Sequence, residues 1–285
     1  MPTADDARCR PLQAHEFAKI RHLAYDTFGL DLRAGKESLV SARLGKHMRQ
    51  QGCQSFDEYY RHVVEDRTGQ ALTDLIDALA TNHTSFFRET AHFDYLRGTL
   101  LAEWRKRDRI DIWSAACSTG EEPYSIAMCL LEEAVAFPPG RVRILATDIS
   151  TRALSAAEKG IYPAARVQGL SGARLRNYWL RGEGDWAGNY RAKKELRALI
   201  EFRRLNLLDP AYRLGPFALI FCRNVMIYFD KATQRAVVER LSGCLEPGGY
   251  LFTGHAESLT GIQHGLQYVQ PAVYRKPPSA GREGK

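Results

Sequence analysis

Apolar residues recur at spacings of three and four through the first part of the chain, and the pattern changes after it. Phe17, Ile20, Ala24 and Phe28 predict an amphipathic helix over 13–28, with Gly29 placed to end it. Val40, Leu44 and Met48 predict a second helix over 37–51. Ser55 is suited to cap a third, which carries Phe56, Tyr59, Tyr60 and Val63. Leu72, Leu75, Ile76 and Leu79 mark a fourth over 70–80. No strand pattern interrupts these, so residues 12–80 read as a small helical domain. Phe93, Leu96, Leu100 and Trp104 predict a longer helix over 89–107, within a linking segment 81–108.

From Arg109 onward, strands and helices alternate. Strands are expected at 109–115, 142–147, 199–205, 217–222 and 249–254, and helices at 122–136, 151–158 and 231–245. That is the βαβ rhythm of a doubly wound α/β sheet, here over 109–276. Leu266, Tyr268 and Val269 precede Pro271, and Val273 and Tyr274 follow it; there is no room for a crossover helix, so a terminal antiparallel strand is expected. Residues 181–197 break the rhythm. Three glycines and Asn189 surround Trp186 and Tyr190, which predicts a turn-rich ribbon or small β-subdomain near 175–197. An exposed edge strand there suits peptide binding by strand addition; a surface excursion with no partner is the plainer alternative.

Composition narrows the class. The chain has 285 residues, 45% hydrophobic and 26% charged, as an ordinary globular protein does. No apolar run is long enough to span a membrane, and the first residues have no signal-peptide character, so a cytoplasmic protein is expected. The six cysteines are scattered without a C-x-x-C pair, and read as small core residues rather than zinc ligands. His83, His92 and His255 share no ligand spacing, so no metal is expected. The net charge of +7 favours an anionic partner, either nucleic acid or an acidic protein surface.

The chemistry concentrates at strand ends. Arg109–Ser125, R-I-D-I-W-S-A-A-C-S-T-G-E-E-P-Y-S, runs from a strand through a tight turn into a helix. An open α/β sheet binds nucleotide-like ligands at such a turn. A phosphate cradle wants bare N–H groups and often a lysine, whereas Glu121 and Glu122 suit a ligand with hydroxyls and positive charge. Gly120 stands alone, which weighs against a nicotinamide dinucleotide. Asp148, after the second strand, is placed to accept ribose hydroxyls, although Asp148 and Ser150 are also ordinary helix caps. Asn206 with Leu207, and Asn224 with Val225, follow two further strands; each asparagine can serve a base edge or amino-acid group, or simply a turn. In T-N-H-T-S-F-F-R-E at 81–89, Asn82, Thr84 and Arg88 form a polar cluster, either a lid anchored by Phe86 and Phe87 or a helix cap with a solvated arginine.

Taken together these segments resemble the chemotaxis receptor methyltransferases, the protein-glutamate O-methyltransferases of the CheR family. The resemblance rests on 81–89, on W-S-A-A-C-S-T-G-E-E-P-Y-S-I-A at 113–127, A-T-D-I-S at 146–150, N-L at 206–207 and F-C-R-N-V-M-I-Y-F at 221–229, and covers about 12–276. It implies a Rossmann-like class I methyltransferase fold with a helical N-terminal domain and an inserted antiparallel β-subdomain. It implies S-adenosylmethionine as cofactor, held by Asn82, Thr84, Arg88, Glu121 or Glu122, Asp148, Asn206, Leu207, Asn224 and Val225. The implied substrate is a set of glutamates on the cytoplasmic signalling domain of a chemoreceptor. In some members the β-subdomain binds a receptor C-terminal peptide.

Arg88 and Tyr228 are the candidates to orient the acceptor or border the methyl-transfer site. Arg43, Lys46 and Arg49 lie near one helix face and form a candidate docking surface for an acidic helix, or a solvated face. A monomer associated with the receptor, without membrane insertion or nucleic acid, is expected. Two other readings stand beside this one. A nucleic-acid methyltransferase is disfavoured because R-N-V-M-I-Y replaces the polar-Pro-Pro-aromatic turn of amino methylation. A cofactor-binding signalling or scaffold protein without turnover would keep the same binding residues.

Overall fold

The computed structural model describes residues 12–79, 84–133, 140–210 and 212–278. Two compact units emerge, Met1–Asn82 with Tyr228–Asp230, and His83–Ile227 with Lys231–Lys285.

The first unit is helical: α1 (Ala14–Phe28), α2 (Glu37–Gln50), α3 (Phe56–Glu65) and α4 (Gln70–Leu79). Glu16 accepts the Gln13 N–H at 2.7 Å and so secures the start of α1. Gly29 ends the helix at φ 67°, where its N–H reaches the Ala24 and Tyr25 carbonyls. Ser55 caps α3 as expected, its Oγ accepting the Glu58 N–H. The expected stripes meet in one core of Ile20, Ala24, Leu44, Met48, Phe56, Tyr59 and Leu75. Tyr228 packs against this core, and its carbonyl accepts the Asp31 N–H at 2.8 Å.

The second unit opens with α5 (Thr90–Tyr95), which passes through a π-helical turn, Leu96–Leu100, into α6 (Leu101–Trp104). The single regular helix expected over 89–107 is thus interrupted. Leu100 and Leu101 are both buried, and the wider turn accommodates that consecutive pair.

The chain then alternates as predicted. It runs β1 (Ile110–Ala115), α7 (Glu121–Glu132), β2 (Val142–Asp148) and α8 (Thr151–Lys159). A small inserted region follows: β3 (Ile161–Pro163), α9 (Ala164–Val167), α10 (Gly172–Tyr178), β4 (Trp179–Arg181), β5 (Asn189–Ala192) and α11 (Lys194–Arg197). The main sheet resumes with β6 (Ile200–Arg204), β7 (Phe217–Cys222), α12 (Lys231–Cys244), β8 (Leu245–Thr253), β9 (Gln267–Gln270) and β10 (Val273–Arg275).

The seven-stranded sheet has the order β6-β2-β1-β7-β8-β10-β9. Its first five strands are parallel, and β10 pairs antiparallel with both β8 and β9, as the missing crossover requires. From β1 the chain builds outward through β2 to β6, then returns to place β7 on the other side of β1. The strand order therefore reverses between β1 and β7, where such sheets open a ligand crevice at their carboxyl ends. β7 is buried at every residue and β1 at all but Asp111, as central strands covered on both faces must be.

β8 begins earlier than expected. Phe217 pairs with Leu245 and Leu219 with Tyr250, so the register shifts and Gly248 and Gly249 fall at an irregularity inside the strand. The small sheet has the antiparallel order β3-β5-β4. It includes β3, a three-residue strand ending in Pro163, too short to show a periodicity. β5 lies in the middle, and an exposed edge is formed by β4, whose Leu180 is open to solvent.

Candidate functional site

The turn after β1 is strained where ligand-binding turns commonly are. Ala116 and Ser118 adopt φ of 64° and 50°, Asn224 after β7 adopts 58°, and Phe87 and Glu89 adopt 55° and 58°. Left-handed backbone at alanine or phenylalanine is disfavoured and persists only where surroundings enforce it. Five such residues gather in the polar segment before α5 and at the carboxyl ends of β1 and β7.

The turn is enforced on two sides. Gly120 starts α7 at φ 95°, and a Cβ there would lie 2.8 Å from Ala157 Cβ and 2.9 Å from the Tyr162 hydroxyl. Tyr162, in β3, donates to the Thr119 carbonyl at 2.6 Å. Arg166, in α9, donates to the buried Glu121 carboxylate, which also accepts from Thr119 Oγ1. The inserted region thus holds the β1–α7 turn directly.

Glu121 and Glu122 consequently differ. Glu121 is sealed against Arg166, with no exposed side-chain surface. Glu122 keeps 14% of its side chain exposed and receives Ser114 Oγ at 2.7 Å and Arg223 at 3.2 Å. Burial pushes the Glu122 carboxyl above its ordinary range, against the pull of Arg223, Ser114 and Arg88.

Asp148 ends β2. Its Oδ2 accepts the Ser118 N–H at 2.8 Å and its Oδ1 the Ser150 N–H at 2.9 Å. Ser150 Oγ, not Asp148, caps α8, accepting the Ala153 N–H. Of the two uses foreseen for Asp148, the helix cap belongs to its neighbour. Next along the sheet edge, Leu205 N–H donates to the Asp148 carbonyl, which sets Asn206 beyond the end of β6. Asn206 Oδ1 accepts the Leu208 N–H at 3.0 Å, the turn role foreseen as an alternative. Leu207 is buried, and Arg240 of α12 donates to its carbonyl.

A second group surrounds Asn224. Its Nδ2 donates to Glu89 Oε1 at 3.2 Å. Arg223, almost wholly buried, bridges Glu89 and Glu122 and donates to the Arg88 carbonyl. Burial opposes the charge on Glu89, but Arg223, Asn224 and the His255 N–H together hold its carboxyl below the ordinary range. Beside them His92 is fully buried and stacked on Phe252, 5.0 Å between ring centroids. Burial, then Arg223, drives its pKa down to about 4, so the ring is neutral. Glu89, His92 and His255 have ligand atoms within 4.8 Å of one another, a clustering that their spacing in the chain does not reveal. Arg223 on the same Glu89 carboxylate disfavours a cation there.

In the segment before α5, Phe86 packs edge-on against Tyr162 and Trp179, and Phe87 against Phe93. The Phe87 N–H donates to Ser125 Oγ of α7. The two phenylalanines anchor the segment, as expected of them. Thr84 and Arg88 are half-buried; Asn82 and His83 lie outside the described residues. In the first unit, Arg43 donates to the Leu79 carbonyl at the end of α4, while Lys46 and Arg49 are exposed on α2. Five cysteines are buried, and Cys9 lies outside the described residues. Burial pushes the thiols of Cys117 and Cys222 well up, so neither is a nucleophile.

The sequence alone does not single out Glu89, Arg223 or Glu257. The first two stand next to Arg88 and Asn224, but their roles depend on each other across the fold. Glu257 has no local signal.

The donor set fits S-adenosylmethionine. Asp148 is chemically suited to hydroxyls, Glu122 to a cation, and Leu207 and Val225 to an apolar base.

The comparisons agree with this geometry. Residues 82–274 match the family model described as CheR methyltransferase, SAM binding domain. Residues 15–80 match that described as CheR methyltransferase, all-alpha domain. The chain is 41% identical over 260 residues to Chemotaxis protein methyltransferase 2 of Pseudomonas aeruginosa PAO1, covering 91% of this chain and 92% of the relative. It is 41% identical over 261 residues to the chemotaxis protein methyltransferase of Salmonella typhimurium LT2, covering 90% and 88%. A Borreliella burgdorferi relative of the same name is 37% identical over 272 residues, covering 92% and 94%. The strand order, the two-part architecture and these matches lead to one conclusion: the chain belongs to the CheR methyltransferase family, whose cofactor is S-adenosylmethionine.

Proposed function

We infer that this protein transfers the methyl group of S-adenosylmethionine to glutamate side chains of chemoreceptors, forming methyl esters. The observation that carries this reading is the pair of carboxylates Glu122 and Asp148 at the carboxyl ends of the strands where the sheet order reverses between β1 and β7, in a chain whose family transfers methyl groups in chemotaxis.

Asp148 is assigned to the ribose hydroxyls and Glu122, rather than Glu121, to the cationic end of the cofactor. Glu121 is already committed to Arg166, whereas Glu122 retains exposed surface and is joined through Arg223 to Asn224's partner Glu89. Leu207 and Val225 are assigned to the base, and Asn206 and Asn224 to its polar edge. Thr84 and Arg88 complete the set, with Asn82 by resemblance.

The cofactor supplies an electrophilic sulfonium methyl group when bound. A glutamate side chain has an ordinary pKa near 4.3 and is ionised at neutral pH, so the protein needs no general base. Its tasks are to align the acceptor oxygen and to exclude water. Arg88 is suited to orient a carboxylate by charge-assisted hydrogen bonds. Tyr228, a short way past Asn224 in the chain, is the second candidate for bordering the acceptor. Buried thiols leave no nucleophile for a covalent enzyme intermediate among the described cysteines.

Two further assignments concern the receptor. Lys46 and Arg49 are exposed on α2 and suit an acidic coiled coil; Arg43 contributes charge while holding α4. The edge strand β4, with exposed Leu180 and nearby Trp186, suits addition of a receptor C-terminal peptide as a further strand. No helix of the described residues is long and apolar enough to cross a membrane, and we place the protein in the cytoplasm, bound to its receptor.

The site assignment is tested by titrating S-adenosylhomocysteine into the wild-type protein and its Glu121→Gln and Glu122→Gln variants. Glu122→Gln is expected to raise Kd roughly tenfold or more, the scale of a lost charged hydrogen bond, with Glu121→Gln mainly lowering the melting temperature. The reverse pattern would transfer the cofactor contact to Glu121.

A further inference from the structure

Glu257 lies just beyond β8, is 6% exposed, and belongs to none of the segments that carry the family resemblance. Its Oε2 accepts the N–H of Asn224 at 2.7 Å and that of Gly254 at 2.7 Å. Its Oε1 accepts the N–H of Ile227 at 3.1 Å. Amides from the turn after β7 and the turn after β8 therefore converge on one carboxylate. A buried carboxylate is costly unless it is paired or hydrogen-bonded, and here the compensation comes from backbone that has no sheet partner of its own.

The turn after β7 needs such a holder. Asn224 stands at φ 58°, a conformation disfavoured for a residue with a side chain. Its side chain is drawn to Glu89 while its main chain is drawn to Glu257. The clamp is closely packed: a Cβ on Gly254 would lie 2.6 Å from Glu257 Oε2, 2.7 Å from Asn224 Nδ2 and 3.0 Å from Asn224 N. Glycine at 254 is thus required by the close approach of the clamp and the turn it holds.

We propose that Glu257 is a positioning residue for cofactor binding, fixing Asn224 and Val225 in the shape that meets the ligand. It touches no reacting atom, and it rests on the assignment of Asn224 and Val225 to the cofactor. Glutamine in its place keeps the size but turns an amide donor toward backbone donors.

The experiment is calorimetric titration of S-adenosylhomocysteine into the full chain, with thermal melts alongside. The proteins compared are wild type, Asn224→Gly, Glu257→Gln and the double variant. Glycine at 224 tolerates the left-handed backbone, so that variant removes the side chain without adding strain. Each single change is expected to raise Kd about tenfold, and the double change to fall well short of about a hundredfold, because both act on one turn. A product of the two effects in the double variant overturns the positioning role. Unchanged affinity in Glu257→Gln, with Asn224→Gly impaired, overturns it as well and leaves the assignment of Asn224 standing. Unchanged affinity in Asn224→Gly overturns that assignment itself. Should Glu257→Gln fail to fold, Glu257→Asp keeps the charge but draws the carboxylate back from the three amides. It is expected to raise Kd similarly, and wild-type affinity in folded Glu257→Asp overturns the proposal.

Discussion

His92 shows what a single buried residue does to the pH dependence of this fold. Its ring has no exposed surface, and Glu89, Arg223 and His255 are the charged or titratable groups that face it. With a pKa of about 4 in the fold against about 6.5 unfolded, the unfolded chain binds more protons between those values. Stability from this group is therefore full above about 6.5 and is lost as pH falls toward about 4. Between pH 7.5 and 5 the loss is about 2 kcal/mol. Glu122 and Glu257, whose carboxyls burial raises, act with the opposite sign at the acid end. Comparing His92→Phe with wild type by denaturant melts across that range isolates the histidine: the variant should show the flatter profile, and parallel profiles would contradict it. At the same scale, Asp148→Asn should raise the Kd for S-adenosylhomocysteine roughly tenfold to a hundredfold, measured by calorimetry. The positions of Asp148 and Asn224 were legible in the sequence because each follows the apolar run of a strand in a βα unit. Glu89, Arg223 and Glu257 were not, because each is defined by partners far along the chain that only the fold brings near.

At the scale of elements, the inserted region does more than decorate the sheet. β3 sends Tyr162 to the Thr119 carbonyl, and α9 sends Arg166 to Glu121, so the turn that opens the crevice is held from outside the main sheet. Tyr162→Phe removes one buried hydrogen bond and should cost about 1 kcal/mol in denaturant melts. Because the bond ends on the turn itself, a several-fold rise in Kd for S-adenosylhomocysteine should accompany it; unchanged affinity would make the contact one of stability alone. The long regular elements were legible: α1, α2, α3, α4, β1, β2, β7 and α12 follow from period and caps. What escaped is irregular. The π-helical turn between α5 and α6 leaves the apolar stripe intact, and β8 starts at Leu245, ahead of the strand expected at 249–254, through an irregularity that no period marks. β5, expected within a ribbon carrying an exposed edge, is central because β3 pairs with it from earlier in the chain.

For the chain as a whole, a net charge of +7 favours encounter with an anionic partner and does not decide the fold. Lys46→Glu with Arg49→Glu should lower kcat/KM for receptor methylation about tenfold at low salt. The deficit should shrink as salt rises, while the Kd for S-adenosylhomocysteine stays as in wild type. A salt-independent deficit would locate docking elsewhere.

Glutamate methylation itself is read by transfer of labelled methyl from S-adenosylmethionine to receptor-containing membranes, with receptor glutamates replaced in parallel. Base-labile label that disappears with those replacements is the result predicted here. Tight cofactor binding with no label on any receptor would contradict it, in favour of a cofactor-binding signalling protein without turnover.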